Sequence, residues 1–107
     1  MSQFDDRKRA EEARFAHNAE MRFKAEARRN KLLGLWAAEQ MGLSGAEANT
    51  YAASVIAADF QEAGDEDVFR KVSGDLKAKG ITVPDETIRA KMAELIGVAR
   101  EQVLAEG

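Results

Sequence analysis

The sequence predicts an all-α protein, a four-helix bundle that follows a mobile N-terminal arm, and three observations support this fold class. A chain of 107 residues is long enough for one small domain. Apolar residues recur at steps of three and four, and no stretch alternates at period two for long enough to build a sheet. Glycine, serine, aspartate and proline stand where helices should end and begin. We therefore expect helices at about 20–41, 44–63, 65–79 and 84–105, joined by short connections that make neighbours antiparallel.

The first helix differs from the others because its apolar residues are unevenly distributed. Residues 5–41 contain no proline and one glycine, and their composition favours helix throughout. The apolar stripe is dense only from Leu32 onward. Before it, apolar residues form a narrow ridge at steps of four: Phe15, Ala19, Phe23 and Ala27. Such a helix would run about 55 Å, which exceeds a body of about 35 Å. We expect residues 1–19 to form a mobile arm and residues 20–107 to form the bundle domain.

The second helix is delimited by turn and capping residues. Gly42 suits the left-handed position that ends the first helix, and Ser44 with Glu47 predicts a capping box. Gly64 then ends the second helix, and Asp65 is the expected N-cap of the third. The core-facing residues of the second helix follow helical spacing: Ala48, Ala52, Val55, Ile56 and Phe60.

The third and fourth helices repeat this pattern. Gly80 ends the third helix, and Pro84 stands in the first turn of the fourth. The third helix presents one apolar face: Val68, Phe69, Val72 and Leu76. The fourth presents another: Ile88, Met92, Leu95, Ile96, Ala99 and Val103. We expect both faces to pack into the core.

Three positions within the helices leave alternatives open. Gly34 and Gly97 interrupt apolar stretches, which indicates either close approach of two helices or simple tolerance of glycine. Asp59 lies beside apolar residues of the second helix. We expect it to be a boundary residue that reaches water, with an ion pair to an arginine of another helix as the alternative.

The net charge of −3 averages two different parts of the chain. Residues 1–31 hold nine Lys and Arg against six acids, whereas residues 32–107 hold seven against thirteen. Large apolar side chains are also uneven, with five in the first range and 23 in the second. The chain is therefore predicted to consist of a basic arm poor in core residues and an acidic body that forms the core.

Catalytic and metal-binding constellations are not recognisable in the sequence. There is no cysteine, and His17 is the only histidine, so a zinc site or triad built on histidine is not expected. His17 is predicted to be an exposed polar residue, or else a group that titrates near neutral pH. The acidic run of Glu62, Asp65, Glu66 and Asp67 lacks the spacing of a calcium loop. We expect no enzymatic activity, no cofactor and no metal.

The arm is the element of the sequence that most favours a binding role. Its candidate contact residues are aromatic or basic: Phe4, Arg7, Lys8, Arg9, Arg14 and Phe15. A solvated, frayed helix would have the same composition. A basic helix with spaced aromatics otherwise docks into a groove of another protein, binds nucleic acid or lies on an anionic membrane. Interspersed acids such as Glu11 and Glu12 dilute the positive field and favour a protein partner.

Four stretches of the chain carry a distinctive pattern. They are residues 4–7, 15–17, 23–38 and 58–68, and the most specific block is Ala-Arg-Arg-Asn-Lys-Leu-Leu-Gly-Leu-Trp-Ala-Ala at 27–38. Together they resemble the zeta subunit, the small inhibitor of bacterial F-type ATP synthases found in alphaproteobacteria. The resemblance covers nearly the whole chain.

The resemblance implies a non-catalytic inhibitor of ATP hydrolysis. In that family an N-terminal segment enters a catalytic interface between the alpha and beta subunits, close to the rotating gamma subunit, while a helical bundle supports it. On this chain the segment corresponds to residues 1–19 and contains the six candidate contact residues of the arm. The implied location is cytoplasmic, peripheral to the inner membrane through the synthase.

Two other functions remain alternatives at the level of sequence. One is a small helical module without catalytic activity that responds to an adenine nucleotide, held by Arg and Lys near the junction of arm and body. The other is nucleic-acid binding, which the acidic body disfavours. No apolar run is long enough for insertion into a membrane.

Overall fold

Four α-helices make up the computed structural model, which describes residues 19–59 and 65–106. They are α1 (Ala19–Gln40), α2 (Gly45–Ala58), α3 (Glu66–Ala78) and α4 (Asp85–Glu106). No β-strand occurs within these two ranges, so the prediction of an all-α, four-helix fold is confirmed. Helix α2 ends earlier than predicted, because Asp59 already forms a turn, and residues 60–64 lie outside the described residues. Residues 1–18 of the predicted arm lie outside them as well, and its last residue, Ala19, begins α1.

The helices pack as an antiparallel bundle in which α1 contacts all three of the others. At one end of the α1–α4 pair, Arg28 reaches Glu106. Farther along, the Lys91 ammonium lies 5.9 Å from the centre of the Trp36 ring. Helices α1 and α4 therefore run antiparallel, as expected for a four-helix bundle with short connections.

Two helices end in the same hydrogen-bonded turn. Gly42 has φ of +76°, and the amide of Leu43 donates to the carbonyl of Ala38 at 2.9 Å. This is the Schellman motif, in which a glycine without a Cβ takes the left-handed conformation at no steric cost. Gly80, with φ of +75°, ends α3 in the same way, and the amide of Ile81 donates to the carbonyl of Leu76 at 2.9 Å. The predicted ends at Gly42 and Gly80 are confirmed, whereas Gly64 lies outside the described residues.

The predicted N-caps hold their positions but do not cap with their side chains. Ser44 is extended and its hydroxyl makes no bond to α2, so the predicted capping box with Glu47 is wrong. Asp65 precedes α3, but its carboxylate accepts a hydrogen bond from Arg29 instead. Pro84 lies one residue before α4, and its carbonyl accepts two amide hydrogen bonds from the first turn.

The main core lies between the four helices. It contains Leu33 and Ala37 of α1, Val55 of α2, Val68, Phe69, Val72 and Leu76 of α3, and Ile88 and Met92 of α4. The whole predicted apolar face of α3 is therefore buried. Each large side chain contributes about 1.5–3 kcal/mol of burial free energy. This burial holds α2 and α3 against α1 and α4.

Gly34 marks a close approach of α1 and α2. A Cβ at this position would lie 2.6 Å from the Cα of Ala52 on α2, a distance that backbone atoms do not tolerate. A Cβ at Gly97 would meet no atom within 4 Å. Close helix approach therefore explains Gly34, whereas Gly97 is a tolerated glycine.

Tyr51 links α2 to α3 at the edge of the core. Its hydroxyl donates to Oδ2 of Asp75 at 2.8 Å, and the Lys71 ammonium lies 3.0 Å from the same oxygen. Burial, the hydrogen bond to Asp75 and the charge of Asp75 all raise the pKa of Tyr51. The folded state therefore favours the neutral phenol.

Substituting the two glycines should have opposite effects. Gly97→Ala is expected to raise the free energy of unfolding by about 0.5–1 kcal/mol through helix propensity. Gly34→Ala is expected to lower it despite the same gain, because α1 and α2 must move apart. Thermal and urea unfolding followed by circular dichroism measure both, and stabilisation by both substitutions would contradict the close approach.

The Tyr51 hydrogen bond predicts a pH dependence at the alkaline end. The unfolded phenol ionises at pH about 10 while the folded one resists, so the contribution of Tyr51 is complete below that pH and declines above it. Tyr51→Phe is expected to cost about 1 kcal/mol at neutral pH and to weaken this decline. Urea unfolding at several pH values from neutral to alkaline tests it, and identical pH slopes in both proteins would refute it.

Candidate partner-binding surface

The six candidate contact residues of the arm all precede Ala19 and lie outside the described residues. The structure does not test their roles, which stay a prediction. It does show how the helix that follows them, α1, is supported. The candidate surface that the structure describes consists of the N-terminal half of α1 and its neighbours.

A small apolar cluster joins the N-terminal half of α1 to the C-terminal half of α4. Ala25 and Val103 are buried at its centre, and three half-buried side chains pack around them: Met21, Ile96 and Leu104. Because these residues come from the first two turns of α1 and the last three of α4, the cluster fixes the direction in which α1 begins.

Arg28 adds a polar link at the same end of the bundle. Its guanidinium donates to Gln102 at 2.9 Å and lies 2.6 Å from the carboxylate of Glu106. Glu106 is more than half exposed, so this ion pair contributes little stability compared with the apolar cluster. Its effect is to restrict the rotation of α1 relative to the last turn of α4.

A buried polar network ties α1 to the connection between α2 and α3. Arg29 is 3% exposed and Asn30 is fully buried. The Arg29 guanidinium donates to Oδ1 of Asn30 at 2.8 Å and to Oδ1 of Asp65 at 2.8 Å. The Asn30 amide donates to Oδ2 of Asp59 at 3.0 Å. Since Asp59 follows α2 and Asp65 precedes α3, two adjacent side chains hold both ends of this connection.

The network answers two expectations from the sequence. Asp59 is half-buried, which agrees with the expected boundary position, and its carboxylate accepts from the Asn30 amide and pairs with no arginine among the described residues. The arginine pair is made by Asp65, which was expected to cap α3. A signal for the network was present, because Arg29 occupies the same step-of-four stripe as buried Ala25 and Leu33.

The acidic run before and within α3 forms ion pairs. Asp65 pairs with Arg29, and both oxygens of Glu66 accept from Arg89 at 2.9 and 3.2 Å. This hydrogen bonding, with the charge of Arg89, lowers the pKa of Glu66. Asp67 pairs with Arg70, and Glu62 lies outside the described residues. Within the described ranges no group of three or more potential metal ligands occurs.

The net positive charge of residues 1–31 comes from the part that lies on α1. Residues 1–18 hold four basic and four acidic residues, whereas residues 19–31 hold five basic and two acidic. Lys24 pairs with Glu20, and Arg28 and Arg29 are used by the bundle as described. Arg22 and Lys31 are exposed and make no ion pair with a described residue. The prediction of a basic arm therefore needs refinement, because the excess is carried by the supported helix.

The predicted ridge at steps of four is exposed on α1. We define the α1 ridge as Ala19, Phe23 and Ala27, with Arg22 and Lys31 flanking it. Ala19 and Phe23 are exposed and Ala27 is half-buried. Phe23 is 55% exposed, more than any other large apolar side chain among the described residues. Exposed apolar and cationic groups on a fixed helix are suited to a protein partner.

The same geometry weakens the adenine-nucleotide alternative. Arg28 and Arg29, two of the cations that follow the junction of arm and body, already bind carboxylates. Arg22 and Lys31 are nine residues apart, which places them on opposite sides of α1 and about 13 Å apart along its axis. They cannot converge on one phosphate group. None of the described helices is long and apolar enough to span a membrane.

Comparison with known proteins supports a regulatory role. The model of a family described as ATPase inhibitor subunit zeta matches residues 1–102. A solution NMR structure is similar, with 59% sequence identity, coverage of 81% of this chain and 99% of that one, and a TM-score of 0.72. No curated protein gives a significant match.

The buried network and an exposed ion pair should differ in how much stability is lost when one carboxylate is neutralised. Asp65→Asn is expected to cost about 1–2 kcal/mol, because the buried Arg29 charge loses its counter-ion while water still reaches Asp65. The control Glu20→Gln disrupts an exposed pair and is expected to change stability by no more than a few tenths of a kcal/mol. Urea unfolding measures both, and equal small effects would contradict the proposed importance of the network.

Proposed function

Because the chain belongs to the ATPase inhibitor subunit zeta family, we propose that its N-terminal segment, residues 1–19, blocks ATP hydrolysis by the F-type ATP synthase. The segment inserts at a catalytic interface between the alpha and beta subunits, close to gamma. It opposes rotation and takes no part in the hydrolytic chemistry, so the protein acts as a non-catalytic subunit. The observation that carries the proposal is a family match that begins at residue 1 and therefore includes the segment.

The residue types of the segment fit this mode of binding. Phe4 and Phe15 supply apolar anchors for pockets on the synthase. Arg7, Lys8, Arg9 and Arg14 supply cations for carboxylates at a subunit interface, where charge-assisted hydrogen bonds are strong. These are the same six residues that the sequence selects.

The bundle supports the segment by providing a formed helix for it to extend. An isolated segment of this length would have to nucleate its own helix, which is unfavourable. Residues that become helical next to Ala19 add to α1 and need only propagation. The cluster around Ala25 and Val103 and the network around Arg29 keep α1 in place while this occurs.

The proposal also implies a location. The protein resides on the cytoplasmic face of the inner membrane, where it is held by the catalytic sector of the synthase. None of the described helices offers an alternative anchor in the bilayer.

Deletion of residues 1–18 tests the proposal directly. The truncated chain retains all four helices and is expected to melt as the full chain does, but to lose at least nine-tenths of the inhibition of ATP hydrolysis by the purified synthase. The full chain with Arg7, Lys8 and Arg9 changed to Glu should also inhibit poorly. Undiminished inhibition by the truncated chain would refute the proposal.

A matched control uses cations of the bundle. Lys77 and Lys79 are exposed at the end of α3, whose opposite end is the one that Asp65 ties to Arg29 of α1. Changing them to Glu alters the net charge in the same direction and should leave inhibition unchanged. Equal losses in both variants would indicate a general charge effect.

A further inference from the structure

Helix α2 contributes little to the main core. Of the nine buried residues that form this core in the described ranges, α2 supplies only Val55, and its other buried residues are Ala52 and Ala58. Helix α3 is about as long and supplies four large side chains to the core: Val68, Phe69, Val72 and Leu76. Because the free energy of burial scales with apolar area, hydrophobic burial holds α2 less strongly than α3.

The close contact between α2 and α1 adds little side-chain burial. Ala52 lies against Gly34, so the two backbones meet across a single methyl group. The attraction at this point is dispersion between closely packed atoms, and it falls steeply once the helices separate. This contact fixes the position of α2 in the closed bundle but does not compensate for the few large side chains that α2 buries.

Two side-chain hydrogen bonds connect α2 with its neighbours. Tyr51 donates to Asp75 of α3. Asp59, directly after α2, accepts from Asn30 of α1. All of these residues except Asn30 are half-buried. Since water reaches three of the four groups, it can replace both bonds when the helix opens, and their net contribution to stability is modest.

Local features of α2 do not make it a stable helix on its own. It has 14 residues, and its N-cap residue, Ser44, makes no side-chain hydrogen bond to the first turn. The hydroxyls of Thr50 and Ser54 donate to backbone carbonyls of the same helix, which slightly weakens helical structure. A helix of this length is marginal in water without tertiary contacts, so α2 unfolds when it leaves the bundle.

We propose that α2 is a separate unfolding unit of the bundle. It opens and loses its helix while α1, α3 and α4 stay packed, and this open state is more populated than the unfolded chain. The three remaining helices keep eight of the nine main-core residues. Arg29 with Asp65, and Arg89 with Glu66, still hold the start of α3 against α1 and α4. The open state uncovers the face of α1 that contains Gly34.

The other helices are less suited to independent opening. Loss of α3 would expose its four large core side chains together. Loss of α1 or α4 would separate the pair of helices that encloses Ala25 and Val103 and would open the main core as well. Opening of α2 exposes the least apolar surface, so it requires the least free energy among the four helices.

Hydrogen exchange of the full chain, followed for each amide by NMR in low concentrations of urea, tests the proposal. The amides of α2 are expected to be at least about thirtyfold less protected than the slowest amides of α3 and α4. They should also share one weak dependence on urea, because their opening exposes a small surface. Equal protection in all four helices would overturn the proposal. Exchange of α3 together with α2 would overturn the assignment of the unit to α2.

Two neighbouring positions on α4 supply the decisive variants, since α4 stays folded in the open state. Gly97→Ala is expected to raise the protection of the slowest amides about threefold, and Ile96→Val is expected to lower it about threefold. Neither substitution should change the protection of α2. If the α2 amides follow those of α4 in either variant, α2 opens only with the whole bundle and the proposal is wrong.

Tyr51→Phe is the matched variant within α2, because it removes the hydrogen bond to Asp75. It is expected to lower the protection of the α2 amides about fivefold, and unchanged protection would contradict an opening that breaks this bond. None of these measurements involves the synthase, so their results are independent of the proposed function.

Discussion

The burial of Arg29 is the constraint on which the arrangement of the bundle depends. A guanidinium enclosed in a small domain is costly unless acceptors surround it. Asn30 and Asp65 provide them, and Asn30 also holds Asp59. One polar pair on α1 therefore fixes the end of α2 and the start of α3. A satisfied network of this kind specifies one packing arrangement, while the apolar core supplies most of the stability.

The same constraint connects the fold to the proposed inhibition. The network holds α1 at its middle, and the cluster of Ala25 and Val103 holds it nearer its start. Two supports make the N-terminal half of α1 a fixed extension with an exposed ridge. A fixed helix reduces the conformational entropy that the preceding segment loses on binding. The acidic, core-forming body and the cationic half of α1 thus have separate tasks within a single folded unit.

The sequence predicts the four helices well, because glycine turns and apolar stripes are determined by residues that are close together in the chain. The glycine ends at Gly42 and Gly80 and the core face of α3 follow in this way. The candidate surface was less accessible to prediction. Composition counts Arg29 as a surface cation, although its helical phase places it in the core, and Asp65 caps nothing because a distant partner competes for its carboxylate. Phe23 is predicted on a ridge, but its exposed fraction depends on how whole helices pack, which no local pattern shows.

The central claim is that α1 delivers the N-terminal segment as a continuous, supported helix. Insertion of two glycines between Asn18 and Ala19 tests it most directly, since all residues of the segment and the bundle are kept. The claim predicts that half-maximal inhibition of the synthase requires at least tenfold more protein while the melting temperature stays unchanged. Inhibition equal to that of the uninterrupted chain would contradict it.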